Sequence, residues 1–473
     1  MSIDETTALG TTLVAEAARL RAGETTSVEL VRTALDKIHA TNDQLGAFVT
    51  TCDETALAAA AQADADFAAG IDRGPLQGIP LAIKDIIATR DAPTTANSRI
   101  LPPDWGGGVD APVVARLRAA GGIVVGKATT SEFAIGLPDP DKGFPVPRNP
   151  WNLDHTPAGS SSGTGIAVAA GLVPGGLGTD TGGSVRSPAS MNGHTGLKVT
   201  FGRVPKSGVV PLGYSLDSVG PMARSAMDCA VLLGVMAGHD ASDPDAADVP
   251  VPDYAAALDG SVEGVRIGVP VPYFYDDPAI DPEVLDAVRA AIDVLAGLGA
   301  TVTETTSLDD AKLAKDANTI TMVGEAMAYH ARDLRERWDV YGKFTRVVLA
   351  RAALYSAADY AQAQRFRRAF RRKVAAVLSE LDVLVTPTSA TPAPRRDAMT
   401  PESHLVGPSF TGPWNFTGLP AVAVPCGFSA SGLPLSMQIV GRPFAEATVL
   451  KVADAFQRVT DWHLRVPPLP SVA

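Results

Sequence analysis

Residues 156–198 read TPAGSSSGTGIAVAAGLVPGGLGTDTGGSVRSPASMNGHTGLK. Glycine and serine dominate, which is the composition of a flexible linker. The apolar run from Ile166 to Val173 argues against a linker, because linkers lack such runs. A glycine- and serine-rich loop feeding an apolar helix implies backbone brought close to something. Two common uses of such loops fail on pattern. The phosphate cradle G-x-x-x-x-G-K-[ST] is absent, and so is a strand-led G-x-G-x-x-G. Gly159-Ser160-Ser161-Ser162-Gly163 does satisfy G-x-S-x-G, with Ser161 central. That elbow needs a strong apolar strand before it, and Asn152-Leu153-Asp154-His155-Thr156-Pro157 cannot form one.

Working outward, the flanks alternate strand and helix. Ile79 to Ile83 reads as a short buried strand. Asp110 is placed to cap a helix that carries Pro112 near its start and stops at Gly121. Ile123 to Val125 is a second buried strand. The pattern recurs with Val265 to Val269, a helix start at Asp281-Pro282-Glu283, a stop at Gly299, and Thr301 to Thr303. Val383 to Val385 and Ala421 to Val424 are further strands. Such alternation predicts an α/β protein, with a parallel or mixed sheet covered by helices on both faces. Residues 1–70 read as N-terminal helices packed on the core. Thr26 and Glu29 have capping-box spacing before the stripe Val31, Ala34, Leu35 and Ile38, and an alanine-rich helix follows from about Asp53 to Ala69. Residues 71–473 read as the main body, with a helical cap at about 308–378. No internal repeat of fixed period is visible.

Bulk properties exclude several classes. The 473 residues are 46% hydrophobic and 19% charged, which predicts a globular chain rather than a disordered one. A formal net charge of −12 argues against a nucleic-acid surface. The basic stretch from Arg365 to Lys373 reads as the solvated side of a helix. Cys52, Cys229 and Cys426 are far apart and odd in number, so neither a disulfide framework nor zinc spacing is expected. The start, MSIDETTALG, is acidic and unlike a secretory signal. No apolar run approaches the ~20 residues that span a bilayer. The expectation is a cytoplasmic protein with no membrane contact, a monomer or homodimer.

Several ordered segments resemble the amidase signature family. They are Gly78-Ile79-Pro80-Leu81-Ala82-Ile83-Lys84-Asp85, Asn149-Pro150-Trp151, Ala158 to Gly163, Gly178 to Arg186 and Gly196-Leu197-Lys198. Downstream, Gly202-Arg203-Val204, Leu216 to Pro221, Gly418-Leu419-Pro420 and Gly432-Leu433-Pro434-Leu435 with Gln438 are also similar. The resemblance spans about Gly78 to Phe444, and it implies a large mixed β-sheet covered by helices on both faces, with residues 71–473 as the catalytic domain. It implies a nucleophile at Ser184, a bridging serine at Ser160 preceded by a cis peptide bond, and a base at Lys84. It also implies an oxyanion hole made by backbone amides from Thr181, Gly182, Gly183 and Ser184. No metal and no organic cofactor are implied.

The chemistry explains those residue types. A serine hydroxyl is a poor nucleophile until something takes its proton. A second hydroxyl can donate and accept at once, so Ser160 can hand the proton on. Lysine accepts it only when neutral. Bringing its pKa from about 10.4 to about 7 costs roughly 4–5 kcal/mol, and burial is the usual means. Asp85 is the difficulty, since a nearby carboxylate raises a lysine pKa. On an extended segment Lys84 and Asp85 point to opposite faces. His155 and His194 lie near these segments and read as loop or packing histidines. Asp180 and Arg186 read as residues that hold the loop by hydrogen bonds.

The resemblance implies an amidase that opens a carboxylic amide C–N bond through an acyl-serine, with anilides, esters and carbamates (urethanes) presenting the same kind of carbonyl. The expected partner is a small-molecule amide or carbamate, with no nucleic acid. An alternative is the glutamine-hydrolysing A subunit of a tRNA-dependent amidotransferase. Ser187-Pro188 stands where that subunit usually has glutamine, and the helical segment holds nothing like its glutamine-recognition region. A catalytically silent binding protein on the same scaffold is a third reading, opposed by the presence of all three relay residues. Selectivity is expected from Leu137 to Phe144, Pro211 to Tyr214, the cap, and Ser409 to Phe416. Phe133, Phe144, Tyr214, Trp414 and Phe416 are candidates to line an apolar pocket.

Overall fold

A computed structural model describes residues 10–400 and 407–468. Met1 to Leu9, most of the acidic opening segment, lie outside the described residues.

Eleven strands of the described residues form one sheet. In chain order they are β1 (Phe48–Thr51), β2 (Pro80–Lys84), β3 (Ile123–Ala128), β4 (Gly175–Asp180), β5 (Thr195–Lys198), β6 (Ser218–Ala223), β7 (Arg266–Pro270), β8 (Thr301–Thr305), β9 (Val383–Pro387), β10 (Ala421–Phe428) and β11 (Pro434–Gly441). Their spatial order is β1-β3-β2-β4-β6-β5-β10-β11-β9-β7-β8. The pairs β2–β3, β2–β4, β7–β8 and β7–β9 are parallel and the rest antiparallel, so the sheet is mixed.

The N-terminal helices are α1 (Leu13–Ala22), α2 (Ser27–Leu45) and α3 (Asp53–Ala68). The capping box is present: Thr26 Oγ1 accepts from the Glu29 amide at 3.1 Å, and the Glu29 carboxylate accepts from the Thr26 amide at 2.9 Å. The stripe Val31, Leu35 and Ile38 packs with Val125 of β3 and with Ile166 in one apolar cluster. Phe48 to Thr51 departs from the helical reading of this region: it is an edge strand antiparallel to β3.

Helix α4 (Pro112–Ala119) begins where expected, but Asp110 is not its cap. Ala111 holds that position. Asp110 instead accepts from the Arg90 amide at 2.9 Å and pairs with Arg118 at 3.1 Å. The Asp281 start does hold: its carboxylate accepts from the Glu283 amide ahead of the helix Pro282–Gly297.

β4 lies inside the sheet, between β2 and β6, although three of its six residues are glycine. Close approach explains this. A Cβ on Gly176 would lie 2.4 Å from the Ala82 carbonyl oxygen, and one on Gly178 2.7 Å from Ser161 Oγ. Propensity misses such a strand because the requirement is imposed by its neighbours.

The helices over the sheet continue with α5 (Ser162–Ala169), α6 (Arg186–Asn192), α7 (Ala226–Met236) and α8 (Pro282–Gly297). The segment expected to be a cap contains α9 (Ala311–Glu336), α10 (Lys343–Ala352) and α11 (Ala357–Glu380). Then come α12 (Gly412–Thr417), which packs under α9, and α13 (Glu446–Arg458). The three cysteines are buried and free. No helix of the described residues is long and apolar enough to cross a membrane.

Candidate active site

Three segments converge at the ends of the neighbouring strands β2 and β4. Lys84 ends β2, Ser160 lies in the turn before α5, and Ser184 follows β4. Lys84 is fully buried, and its Nζ donates to Ser160 Oγ at 2.7 Å. A second acceptor, Thr179 Oγ1 on β4, lies at 2.8 Å. The Gly159–Ser160 peptide is cis. Ser184 is half-buried, and its carbonyl accepts from the Ser161 amide at 3.3 Å, so the two serine loops touch, while no hydrogen bond joins the Ser160 and Ser184 hydroxyls directly.

Burial strips Lys84 of hydration and drops its pKa from 10.5 to about 7, against the upward pull of Asp180 and Asp217. Asp85 takes no part in this. It accepts from Thr95 and lies 3.5 Å from Lys127, on the other side of the strand. The alternation of a strand thus gives each neighbour its own partner.

The elbow reading of Ser161 fails on geometry. Its hydroxyl is fully buried and committed to β4: it donates to the Thr179 carbonyl and accepts from the Thr179 amide, each at 3.2 Å.

Asp180 organises the glycine turn. One carboxylate oxygen accepts from the Gly183 amide at 2.7 Å, Arg186 Nη2 at 3.0 Å and Asn415 Nδ2 at 2.8 Å. The other accepts from the Val185 amide at 3.2 Å and Arg186 Nε at 3.0 Å. Burial alone would raise Asp180; the Arg186 guanidinium overrides it and holds the pKa at about 2. Arg186 also donates to Gln438 Oε1 (2.9 Å), Asn415 Oδ1 (2.7 Å) and the Thr411 carbonyl (3.1 Å). Replacing Arg186 by alanine strands a buried carboxylate, so a destabilisation of about 3–5 kcal/mol is expected in denaturant titrations, with Arg186→Lys recovering only part of it.

This arrangement corrects the expected oxyanion donors. The Gly183 amide is spent on Asp180, because a buried carboxylate takes every donor in reach. The amides of Gly182 and Ser184 have no hydrogen-bond partner among the described residues. The Gly182 carbonyl is held by Thr411 Oγ1 at 2.6 Å, and the Thr181 carbonyl by Asn318 Nδ2 at 3.5 Å. Thr181 Oγ1 donates to buried Asp217 at 2.5 Å.

The histidines stay outside the relay. His194 is fully buried with Nδ1 3.0 Å from the Thr195 carbonyl, and burial lowers its pKa to about 4. His155 Nδ1 meets the Ala393 carbonyl at 2.6 Å. The aromatic candidates divide. Phe133, Trp414 and Phe416 are core, with Trp414 stacked on Phe274 at 5.3 Å. Phe144 is half-buried and Tyr214 is 57% exposed. Sequence reasoning assigned no role to Thr179, Asn318 or Thr411. Asp217 and Gln438 stood inside matching segments, but their contacts are long-range, which no local pattern reveals.

The Amidase family model matches residues 29–450, and the chain belongs to that family. It is an enzyme of the amide hydrolase and amidotransferase class, and its sheet and helices form the amidase signature fold. Its sequence is 45% identical over 476 residues to the A subunit of glutamyl-tRNA(Gln) amidotransferase from Roseiflexus sp. (strain RS-1), covering 95% of this chain and 96% of that one. The corresponding subunit of Chloroflexus aggregans (strain MD-66 / DSM 9485) is 43% identical, again over 95% and 96%. Among solved structures, one described as a vestigial protein complex revealing the evolutionary origins of an s-triazine catabolic enzyme superposes with a TM-score of 0.88. It is 31% identical, over 96% of this chain and 99% of that one.

These relatives overturn the expectation about partners. A lone enzyme serving a small-molecule amide or carbamate, with no nucleic acid and at most a homodimer, is not what they are: they are subunits, and of an enzyme for glutamyl-tRNA(Gln). The physical reason lies in what net charge reports. It speaks only to direct contact with a polyanion, and a chain that works on a small molecule inside a larger assembly needs no basic surface.

Proposed function

We propose that the chain is the amide-hydrolysing subunit of an amidotransferase-type assembly, and that it opens the side-chain carboxamide of glutamine through an acyl-Ser184 intermediate. Ser184 Oγ attacks the carbonyl carbon while its proton passes through Ser160 Oγ to the Lys84 amine. The oxyanion forms against the amides of Gly182 and Ser184. The proton then returns from Lys84 through Ser160 to the leaving nitrogen, the C–N bond breaks, and ammonia departs. Water next attacks the ester, delivering its proton by the same path, and the acid leaves. The single observation that carries the chemistry is the buried 2.7 Å contact between Lys84 Nζ and Ser160 Oγ. The assembly and the choice of glutamine are supported by the A subunits that match nearly end to end.

A second reading keeps the acyl-serine and the assembly but changes the amide. Ser187-Pro188 and the missing glutamine-recognition stretch favour it, as does the superposable chain from the vestigial complex that reveals the origins of an s-triazine catabolic enzyme. One assay separates the two. The chain is co-expressed with amidotransferase partner subunits, and ammonia release is followed from glutamine, a simple aliphatic amide, an anilide and an aryl carbamate, with Ser184→Ala as the blank. Serine-dependent ammonia from glutamine is the expected result. Turnover of another amide with none from glutamine transfers the assignment to the second reading.

A further inference from the structure

The helical cap grips the loop of residues 211–217 at one residue, Ser215. Glu325 of α9 accepts from the Ser215 amide at 3.0 Å and from its hydroxyl at 2.7 Å. Arg367 of α11 donates to the same hydroxyl at 3.1 Å and to the Ser215 carbonyl at 2.9 Å. The hydroxyl therefore donates to an anion and accepts from a cation, using both capacities at once. The clamp is itself braced. Tyr360 donates to Glu325 at 2.9 Å, and Arg367 Nε donates to the Phe416 carbonyl at 2.7 Å. Glu325 is only 6% exposed.

Two residues further on, Asp217 closes the loop. It accepts from the amides of Leu212 (3.0 Å) and Gly213 (3.1 Å), and it holds the Thr181 hydroxyl. Space is tight between cap and turn: a Cβ on Gly213 would lie 3.1 Å from Thr181 Cγ2 and 3.3 Å from Met322 Cα. The loop is thus a solid block wedged between α9 and the residue that precedes the Gly182 amide.

We infer that Glu325 and Arg367 are positioning residues for the Ser184 chemistry, acting through Ser215 and Asp217 to hold Thr181 and the amides that follow it in register. The inference rests on the proposed acyl-serine mechanism. It assigns the cap a part in the reaction without any contact to the reacting atoms. Displacing such amides by a fraction of an ångström weakens bonds that matter only once charge develops on oxygen, so rate falls while binding persists.

The test uses a fluorophosphonate, whose P=O oxygen occupies the oxyanion position once Ser184 attacks phosphorus. Inactivation is resolved into kinact and KI for wild type, Glu325→Ala, Glu325→Gln and Ser215→Ala, each checked for folding by circular dichroism. Glu325→Ala is expected to lower kinact roughly tenfold with KI within about twofold of wild type. Glu325→Gln, which keeps an acceptor for the Ser215 amide, recovers most of the loss. Ser215→Ala, the mildest change, lowers kinact roughly threefold and decides the matter should Glu325→Ala fail to fold. No labelling of wild type sinks the acyl-serine mechanism itself. Labelling of wild type with unchanged kinact in the folded variants overturns the inference alone.

Discussion

Replacing Lys84 by alanine is expected to cut the rate near neutral pH by roughly a thousandfold or more, because among the described residues no other basic group bonds to Ser160 Oγ. Thr179 is the other hydroxyl on the amine, and it is a donor and acceptor without basicity. The pH profile gives this prediction its signature. Burial places the Lys84 pKa at about 7, so below that pH the amine is charged and idle. Wild-type kcat/KM therefore rises with pH through about 7 and levels above it. In Lys84→Ala this limb disappears, and any residual rate climbs with hydroxide instead. A wild-type profile flat from pH 5 to 9 would contradict the assignment.

The same burial has a cost in stability, with a definite sign. A lysine whose pKa is lowered on folding binds fewer protons in the folded chain than in the unfolded one between the two values. Stability then rises with pH across that window. Lys198, also buried and lowered to about 7, adds to Lys84. The two contributions act from about 7 upward until the buried thiols of Cys52 and Cys426, pushed up to about 11 and 12 from 9.0, begin to oppose them.

Ser184→Ala carries the second large effect. Loss of the nucleophile is expected to reduce turnover by roughly 10⁴-fold or more and to abolish the covalent adduct with a fluorophosphonate, as seen by intact mass. The fold should be nearly unaffected, since Ser184 is half-buried and its hydroxyl makes no hydrogen bond among the described residues. Thermal stability within about 0.5 kcal/mol of wild type is the accompanying expectation. An adduct that persists in Ser184→Ala would move the nucleophile elsewhere, with Ser187 the adjacent half-buried hydroxyl. Ser161 is no substitute, because both capacities of its hydroxyl are taken by the backbone of Thr179.

Where local signals were strong, the reading of the chain survived the structure. Thr26 and Glu29 form their capping box, Asp281 caps its helix, and the apolar run near Ile79 to Ile83 is strand β2. Each of these depends on neighbours in sequence. Where the cause was a distant neighbour, the reading failed. Gly175–Asp180 carries no strand signal in sequence, because its glycines answer to Ala82 and Ser161 across the sheet. Phe48 to Thr51 looked helical by context and is held as strand by β3. Asp110 had a cap's spacing yet was drawn to Arg90 and Arg118.

The site divides in the same way. The segments that hold Lys84, Ser160 and Ser184, and their order, are written in the linear sequence. What those atoms are able to do is not. The dryness that neutralises the amine, the carboxylate that claims the Gly183 amide and leaves its neighbours free, and the cap that steadies Thr181 all arise from segments far apart in the chain. Desolvation and hydrogen-bond competition are sums over everything packed around a group, so they come into being only when the chain closes on itself.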